Sequence, residues 1–187
     1  MINIIGGIKK GTKIHVPDIL VRPTSSHKRE SIFSIIKSYE LKKNISVFKN
    51  KYVLDLFSGS GSLGLEAVSR GALFSYFYEN NSEVINKLNR NCLNVCCIDK
   101  FRIINEDILE SEFINLSNKI SLVFIDPPYS MNPFEKILLK ISEKEKLSNK
   151  ALIIIECKKN LKFNIPSNFN LVSERFYGKT RILFLSA

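Results

Sequence analysis

The residues of this chain best suited to chemistry sit in Asp126-Pro127-Pro128-Tyr129, directly after the apolar run 120–125. The run reads as a buried strand. Two prolines cannot extend its ladder, because each lacks an N–H and has a fixed φ. The segment is expected to leave the sheet as a stiff loop at the strand's carboxyl end, where open α/β sheets bind ligands. It offers a carboxylate (Asp126), a backbone carbonyl not needed for pairing (Pro127) and a flat ring (Tyr129). Two acceptors and a stacking face suit an exocyclic amino group on a planar base. Taken alone, the tetrapeptide reads equally well as a strand-ending turn, where Pro and Asp are common.

A second segment about 70 residues upstream changes that balance: Asp55-Leu56-Phe57-Ser58-Gly59-Ser60-Gly61-Ser62-Leu63-Gly64. Gly59 and Gly61 let the backbone turn tightly against a ligand, and Gly64 allows close helix packing. The spacing matches the dinucleotide fingerprint, but no Gly-Lys-Ser/Thr follows, which excludes a phosphate loop. A pyrophosphate here would lie close to Asp55, and like charges repel by ~4 kcal/mol at an effective dielectric near 20. S-adenosylmethionine carries a sulfonium and an ammonium and no phosphate, so the same acid attracts it. Asp55, with Ser58, Gly59, Ser60 and Gly61, is expected at its amino-acid end. Glu79, followed by Asn80, lies 20 residues past Gly59 and is placed to accept ribose hydroxyls. Asp107 is expected to accept from the adenine amino group, with Ile108 packing on the ring or donating its N–H.

Positioning these groups requires alternating strands and helices. Apolar patterns predict strands near 52–57, 74–79, 102–105, 120–125, 151–156, 171–177 and 181–186, with helices near 62–70, 82–95, 108–118 and 133–146. Such alternation predicts an α/β fold with helices on both faces of a mostly parallel sheet. Only Gly178-Lys179-Thr180 joins the last two strands, which demands an antiparallel pair. A seven-stranded, Rossmann-like sheet with one reversed strand follows. Before it, residues 2–5 and 12–16 suit a hairpin. Val21-Arg22-Pro23-Thr24 should be extended, and Thr24, Ser25 or Ser26 can cap a helix carrying Ile32, Phe33, Ile35, Ile36 and Tyr39.

At 187 residues, 44% of them apolar and 25% charged, the chain suits one globular domain. No apolar run approaches the ~18 residues of a membrane span, and the amino terminus lacks the features of a secretory signal. Cys92, Cys96, Cys97 and Cys157 show no CxxC spacing and lie far from His15 and His27 in sequence. No metal is expected, and free thiols in a reducing cytoplasm fit better. The net charge of +10 is uneven: residues 1–50 hold ten Lys/Arg against Asp18, Glu30 and Glu40, a net +7. A basic front on a nearly neutral body suggests a polyanion partner. The chain is therefore divided into a basic, nucleic-acid-binding extension, 1–45, and a second domain, 46–187, that carries the chemistry. Lys9, Lys10, Lys13, Arg22, Thr24, His27, Lys28 and Arg29 are the expected nucleic-acid contacts.

The glycine segment, Ser69-Arg70-Gly71-Ala72 and Asp126-Pro127-Pro128-Tyr129, preceded by Arg22-Pro23-Thr24 and Arg29-Glu30, resembles the RsmD family from Gly6-Gly7 to the final hairpin. The resemblance implies a class I methyltransferase fold, with S-adenosylmethionine as cofactor. It also implies transfer to the exocyclic N2 of a guanine in 16S rRNA, guanine 966 in the family, with the rRNA held in a small-subunit assembly particle. It makes Asp126, Pro127 and Tyr129 the catalytic set, and it makes the expected nucleic-acid contacts RNA contacts. One departure is that the family's Asp-Arg pair after Arg-Pro-Thr is Ser26-His27 here, so the basic role is expected to pass to His27 and Lys28. Adenine N6 in DNA or a protein glutamine are alternative targets of a similar loop. A non-catalytic RNA-binding assembly factor is the alternative from another class.

Overall fold

The computed structural model describes residues 1–17, 25–111, 116, 118–143 and 146–187. Val21, Arg22, Pro23 and Thr24 lie outside the described residues. β1 (Ile2–Asn3) pairs antiparallel with β2 (Lys13–Ile14), forming the expected hairpin. Its wide connection is closed by N–H donation from Ile4 to Thr12 and from Gly11 to Ile4, at 2.9 and 2.8 Å. α1 (Ser26–Lys43) starts at Ser25, whose side chain accepts from the Lys28 N–H, and ends at Asn44 with φ 52°.

The central sheet contains β3 (Tyr52–Leu56), β4 (Phe74–Tyr78), β5 (Phe101–Ile104), β6 (Ile120–Ile125), β7 (Leu147–Lys158), β8 (Asn170–Tyr177) and β9 (Thr180–Ser186). Between them run α2 (Ser62–Ser69), α3 (Ser82–Val95) and α4 (Phe134–Glu143). The strand order is β5-β4-β3-β6-β7-β9-β8. β9 is antiparallel to both neighbours and every other pairing is parallel. The reversed strand is thus inserted inside the sheet.

β6 is buried along its whole length because both faces are covered, which explains its unbroken apolar sequence. Alternate residues divide between two cores. Val53, Phe124, Ile154 and Phe184 pack with Ile32, Phe33 and Ile36 of α1 and Ala67 of α2. Leu54, Leu56, Ile125 and Ile155 pack with Phe134, Ile137 and Leu138 of α4. Ile4 and Ile14 of the hairpin join Phe77 and α3 residues Leu88, Cys92 and Val95 in a third cluster. No described helix is long and apolar enough to cross a membrane.

Of the helix expected over 108–118, the described residues show a single turn at 108–110, behind Asp107. Its carbonyl accepts from Glu110 and Ser111, and its side chain from Leu109 at 2.8 Å. The side-chain bond is that of an N-cap. Residues 112–115 and 117 of that stretch lie outside the described residues.

Gly64 sets how closely α2 approaches β4. A Cβ there would meet the Phe77 ring at 2.4 Å and the Ser75 hydroxyl at 2.9 Å. Gly64→Ala is expected to destabilise the fold by about 1–3 kcal/mol through overpacking. Urea denaturation checks this, with a lowered midpoint at unchanged slope.

Candidate active site

Parallel register brings the strand ends level. Ile104, Tyr78, Leu56, Ile125 and Ile155 pair in one row across β5, β4, β3, β6 and β7. The next residue outward in each strand is Asn105, Glu79, Phe57, Asp126 and Glu156, respectively. Three carboxylates therefore share the carboxyl edge, with Asp55 two residues further inside on β3.

The glycine turn is built on that edge. Phe57 takes φ 60°, Gly59 φ 52° and Gly61 φ 77°, so the backbone reverses from β3 into α2. Ser58 donates its N–H to the Tyr78 carbonyl at 2.9 Å and its hydroxyl to the Asp55 carbonyl at 2.7 Å. Gly61 donates to the Ser58 carbonyl at 2.7 Å. The Ser60 carbonyl accepts from the Asn91 side chain at 2.9 Å. Asp55 is buried and accepts the Gly64 N–H at 2.8 Å, in the first turn of α2. Burial pushes its carboxyl well above the usual value, the Gly64 bond opposes this, and the Asp126 and Glu79 charges push it further. Glu79 accepts from the Gly59 and Asn81 N–H groups, each at 3.0 Å. Glu79, Asn80, Asp107 and Ile108 line one cleft with Phe57, Tyr78 and Glu106. That lining holds three acids and no Lys or Arg.

Asp126 is half-buried beside this turn. The Pro128 carbonyl accepts from Met131 at 2.9 Å, while no donor to the Pro127 carbonyl is found among the described residues. Tyr129 leaves 40% of its surface exposed. Its hydroxyl bonds Glu156 at 3.2 Å and the Thr180 hydroxyl. Glu156 is buried, and the oxygen that accepts from Tyr129 also pairs with the Lys28 ammonium. Its other oxygen has no hydrogen-bond partner among the described residues. Glu156 and Thr180 were missed by sequence reasoning. The signal for Glu156 was available, since it follows the apolar run 151–155 as Asp126 follows 120–125. Thr180 becomes visible only once β9 is known to lie beside β7.

The expected RNA contacts are scattered. Arg29 requires correction. It is fully buried, donating to the Asn3 carbonyl at 2.9 Å and to the Ser26 hydroxyl at 3.4 Å, so it cannot reach a phosphate. Arg22 and Thr24 lie outside the described residues. The turn bearing Lys9 and Lys10 packs on Ser69 at the end of α2, through N–H donation from Ile8 and Lys9 at 2.8 and 3.0 Å. Because α2 starts at the glycine turn and runs back, this turn is at the opposite edge of the sheet. The Lys13 carbonyl accepts from Asn94 in the last turn of α3. Among the described residues of this set, Lys28 alone is tied to the catalytic loop, through Glu156, while His27 lies edge-on to Tyr177 of β8 at 6.1 Å between ring centroids.

Asp55→Ala is expected to cost about 1–3 kcal/mol, because the Gly64 N–H then has no acceptor. Asp55→Asn keeps an acceptor. Since the folded carboxyl titrates above its ordinary 3.8, Asp55 contributes stability fully below that value and loses it as pH rises through the raised one. The stability of Asp55→Asn relative to wild type should therefore increase as pH rises above about 4. Urea titrations at several pH values check both expectations.

The chain matches the family model described as "Conserved hypothetical protein 95" over residues 2–186. It is 31% identical to "Ribosomal RNA small subunit methyltransferase D" of Haemophilus influenzae, covering 95% of this chain and 89% of that one. The solved structure of "Putative methyltransferase yhhF" from Escherichia coli superimposes with a TM-score of 0.83 at 28% identity, covering 99% of this chain and 97% of that one. An RNA methyltransferase from Salinibacter ruber, solved in complex with S-adenosyl-L-homocysteine, shares the fold with a TM-score of 0.64 at 13% identity, over 88% and 93% of the two chains. The Rossmann-like sheet with an inserted reversed strand is thus a class I methyltransferase fold, and the chain belongs to the RsmD family.

Proposed function

We propose that this protein transfers a methyl group from S-adenosylmethionine to the exocyclic N2 of a guanine in small-subunit ribosomal RNA. Membership of a family whose relative is named a ribosomal RNA small subunit methyltransferase supports the rRNA methyltransferase reading. The observation that carries the finer reading is the juxtaposition of the Asp126-Pro127-Pro128-Tyr129 loop with the glycine turn, close enough for Asp126 to perturb Asp55. Guanine 966 is the position expected from the family.

The residues fit the cofactor. A cleft with acids and no bases suits a cationic ligand without phosphate, and the raised Asp55 carboxyl is relieved by a positive charge. Asp55, Ser58, Gly59, Ser60 and Gly61 would hold its amino-acid end. Glu79 and Asn80 would hold the ribose, and Asp107 and Ile108 the adenine. When bound, S-adenosylmethionine supplies an electrophilic methyl on a positively charged sulfur.

The chain's own groups prepare the acceptor. The guanine amino nitrogen is a poor nucleophile because its lone pair is delocalised into the ring. Donation of its two N–H groups to the Asp126 carboxylate and the Pro127 carbonyl localises that pair and aims it. Positive charge then grows on nitrogen beside Asp126, where one preorganised group is worth about 2.7–4 kcal/mol. Asp126 takes the departing proton and passes it to solvent. Tyr129 stacks on the base, which must leave its helix or loop to enter. Glu156 and Thr180 hold the ring by its hydroxyl. Lys28, at the start of the first helix, joins the basic segment 1–45 to this loop through Glu156, while 46–187 forms the catalytic domain.

Mapping the nucleotide labelled after incubation with radioactive cofactor and unmethylated small-subunit RNA or particles tests the target. A label on guanine N2 is expected; a label on DNA adenine or on protein glutamine alone would sink the reading. Asp126→Ala should abolish transfer while cofactor affinity stays within about tenfold, since Asp126 acts on the acceptor. Tyr129→Ala should lower kcat/KM by the ~1–3 kcal/mol of one stacked base, and Tyr129→Phe by much less. Steady-state kinetics on both variants separates the ring from the hydroxyl.

A further inference from the structure

The amino-terminal charge directs attention to residues 1–50, but a second basic segment lies at the carboxyl end of the chain. Residues 157–187 hold Lys158, Lys159, Lys162, Arg175, Lys179 and Arg181 against Glu174 alone. Of these six cations, Arg181 is paired with Glu174 at 2.6 Å. The other five have no carboxylate partner among the described residues.

Topology places this charge at the mouth of the site. Lys158 is the last residue of β7, two beyond Glu156, and lines one cleft with Pro127, Pro128 and Tyr129. Thr180, which bonds the Tyr129 hydroxyl, pairs across the ladder with Lys158. Lys179 precedes it in the exposed β8–β9 turn, and its carbonyl accepts the Lys159 N–H at 2.9 Å. Phe176, on the edge strand β8, is 52% exposed, and the Lys159 ammonium lies 5.7 Å from its ring centroid. A solvent-facing ring beside Lys159, whose chain neighbour Lys158 borders the catalytic loop and whose backbone bonds Lys179, combines the two elements that bind single-stranded nucleic acid: phosphate neutralisation and base stacking. Lys9 and Lys10 lack the second element and sit at the far edge of the sheet.

We propose that the RNA flanking the target nucleotide runs across the end of β7 and the β8–β9 turn. Lys158, Lys159 and Lys179 neutralise its phosphates and Phe176 stacks on an unpaired base. This surface deepens the RNA methyltransferase reading above and rests on it.

The test uses the full chain with a Lys158→Glu, Lys159→Glu, Lys179→Glu triple variant, Phe176→Ala, Phe176→Tyr, and a Lys9→Glu, Lys10→Glu double variant. Methyl transfer to unmethylated small-subunit RNA and filter binding of the same RNA are measured across a salt series. The triple variant should raise KM and Kd for RNA by at least about tenfold. It should also flatten the slope of log affinity against log salt by about 2, three phosphates at ~0.7 each. Phe176→Ala should raise both constants by at least about fivefold and Phe176→Tyr by less, as stacking requires. Affinity for S-adenosylhomocysteine and the melting temperature should stay at wild-type values in all of them. Wild-type affinity and salt slope in the triple variant would overturn the proposal, as would a larger loss in the Lys9, Lys10 variant. If the wild-type protein methylates no RNA, the function reading fails, whereas filter binding still decides where RNA lies.

Discussion

The bond from the Gly64 N–H to the buried Asp55 carboxylate fixes the glycine turn to the sheet, and the site's geometry depends on it. It ties the start of α2 to the inside of β3, so the backbone between them must reverse within a few residues through positive φ values. It also keeps an acid where water cannot solvate it, close to Glu79 and Asp126. Three carboxylates in one low-dielectric corner repel one another. A fold that accumulates such charge at one edge is built to receive a cation, and its neighbouring cleft offers no base of its own.

The catalytic loop is held as firmly as the cofactor turn, by a different device. Lys28 of α1, Glu156 of β7, Tyr129 of the loop and Thr180 of β9 meet in one polar cluster. These four segments are far apart in sequence. Ring and loop are therefore positioned by the assembled tertiary structure, and the start of the first helix is mechanically joined to the site. Buried polar clusters of this kind restrict a site to one arrangement when their members are satisfied. The free oxygen of Glu156 leaves this cluster one acceptor short of a donor, beside the loop.

Much of this was legible in the sequence because it is local. Apolar runs, the glycines and the proline pair each act within a few residues, so the strands, the reversed terminal pair and the Asp126 loop could be read directly. Misreadings arose where distant segments decide. Arg29 looked like a surface cation flanking a helix cap, but its helix face meets the hairpin carbonyl of Asn3 and the field of Glu66, so it is buried. Lys9 and Lys10 looked like RNA grip by composition, and only the packing of their turn on Ser69 reveals which edge they occupy. The turn that opens the stretch 108–118 is fixed by the Asp107 side chain, an effect that apolar periodicity does not register.

The inserted strand has a consequence for how the chain assembles during synthesis. β9 fills the slot between β7 and β8, both of which leave the ribosome before it, and buries Ile182, Leu183, Phe184 and Leu185 completely. Until it arrives, β7 has an unpaired edge on that side and β8 has no neighbour in the sheet. Chains nearing completion would carry this exposed ladder until the last residues emerge, a state prone to intermolecular pairing. Closure of the sheet, and with it the delivery of Thr180 to Tyr129, thus awaits the final strand.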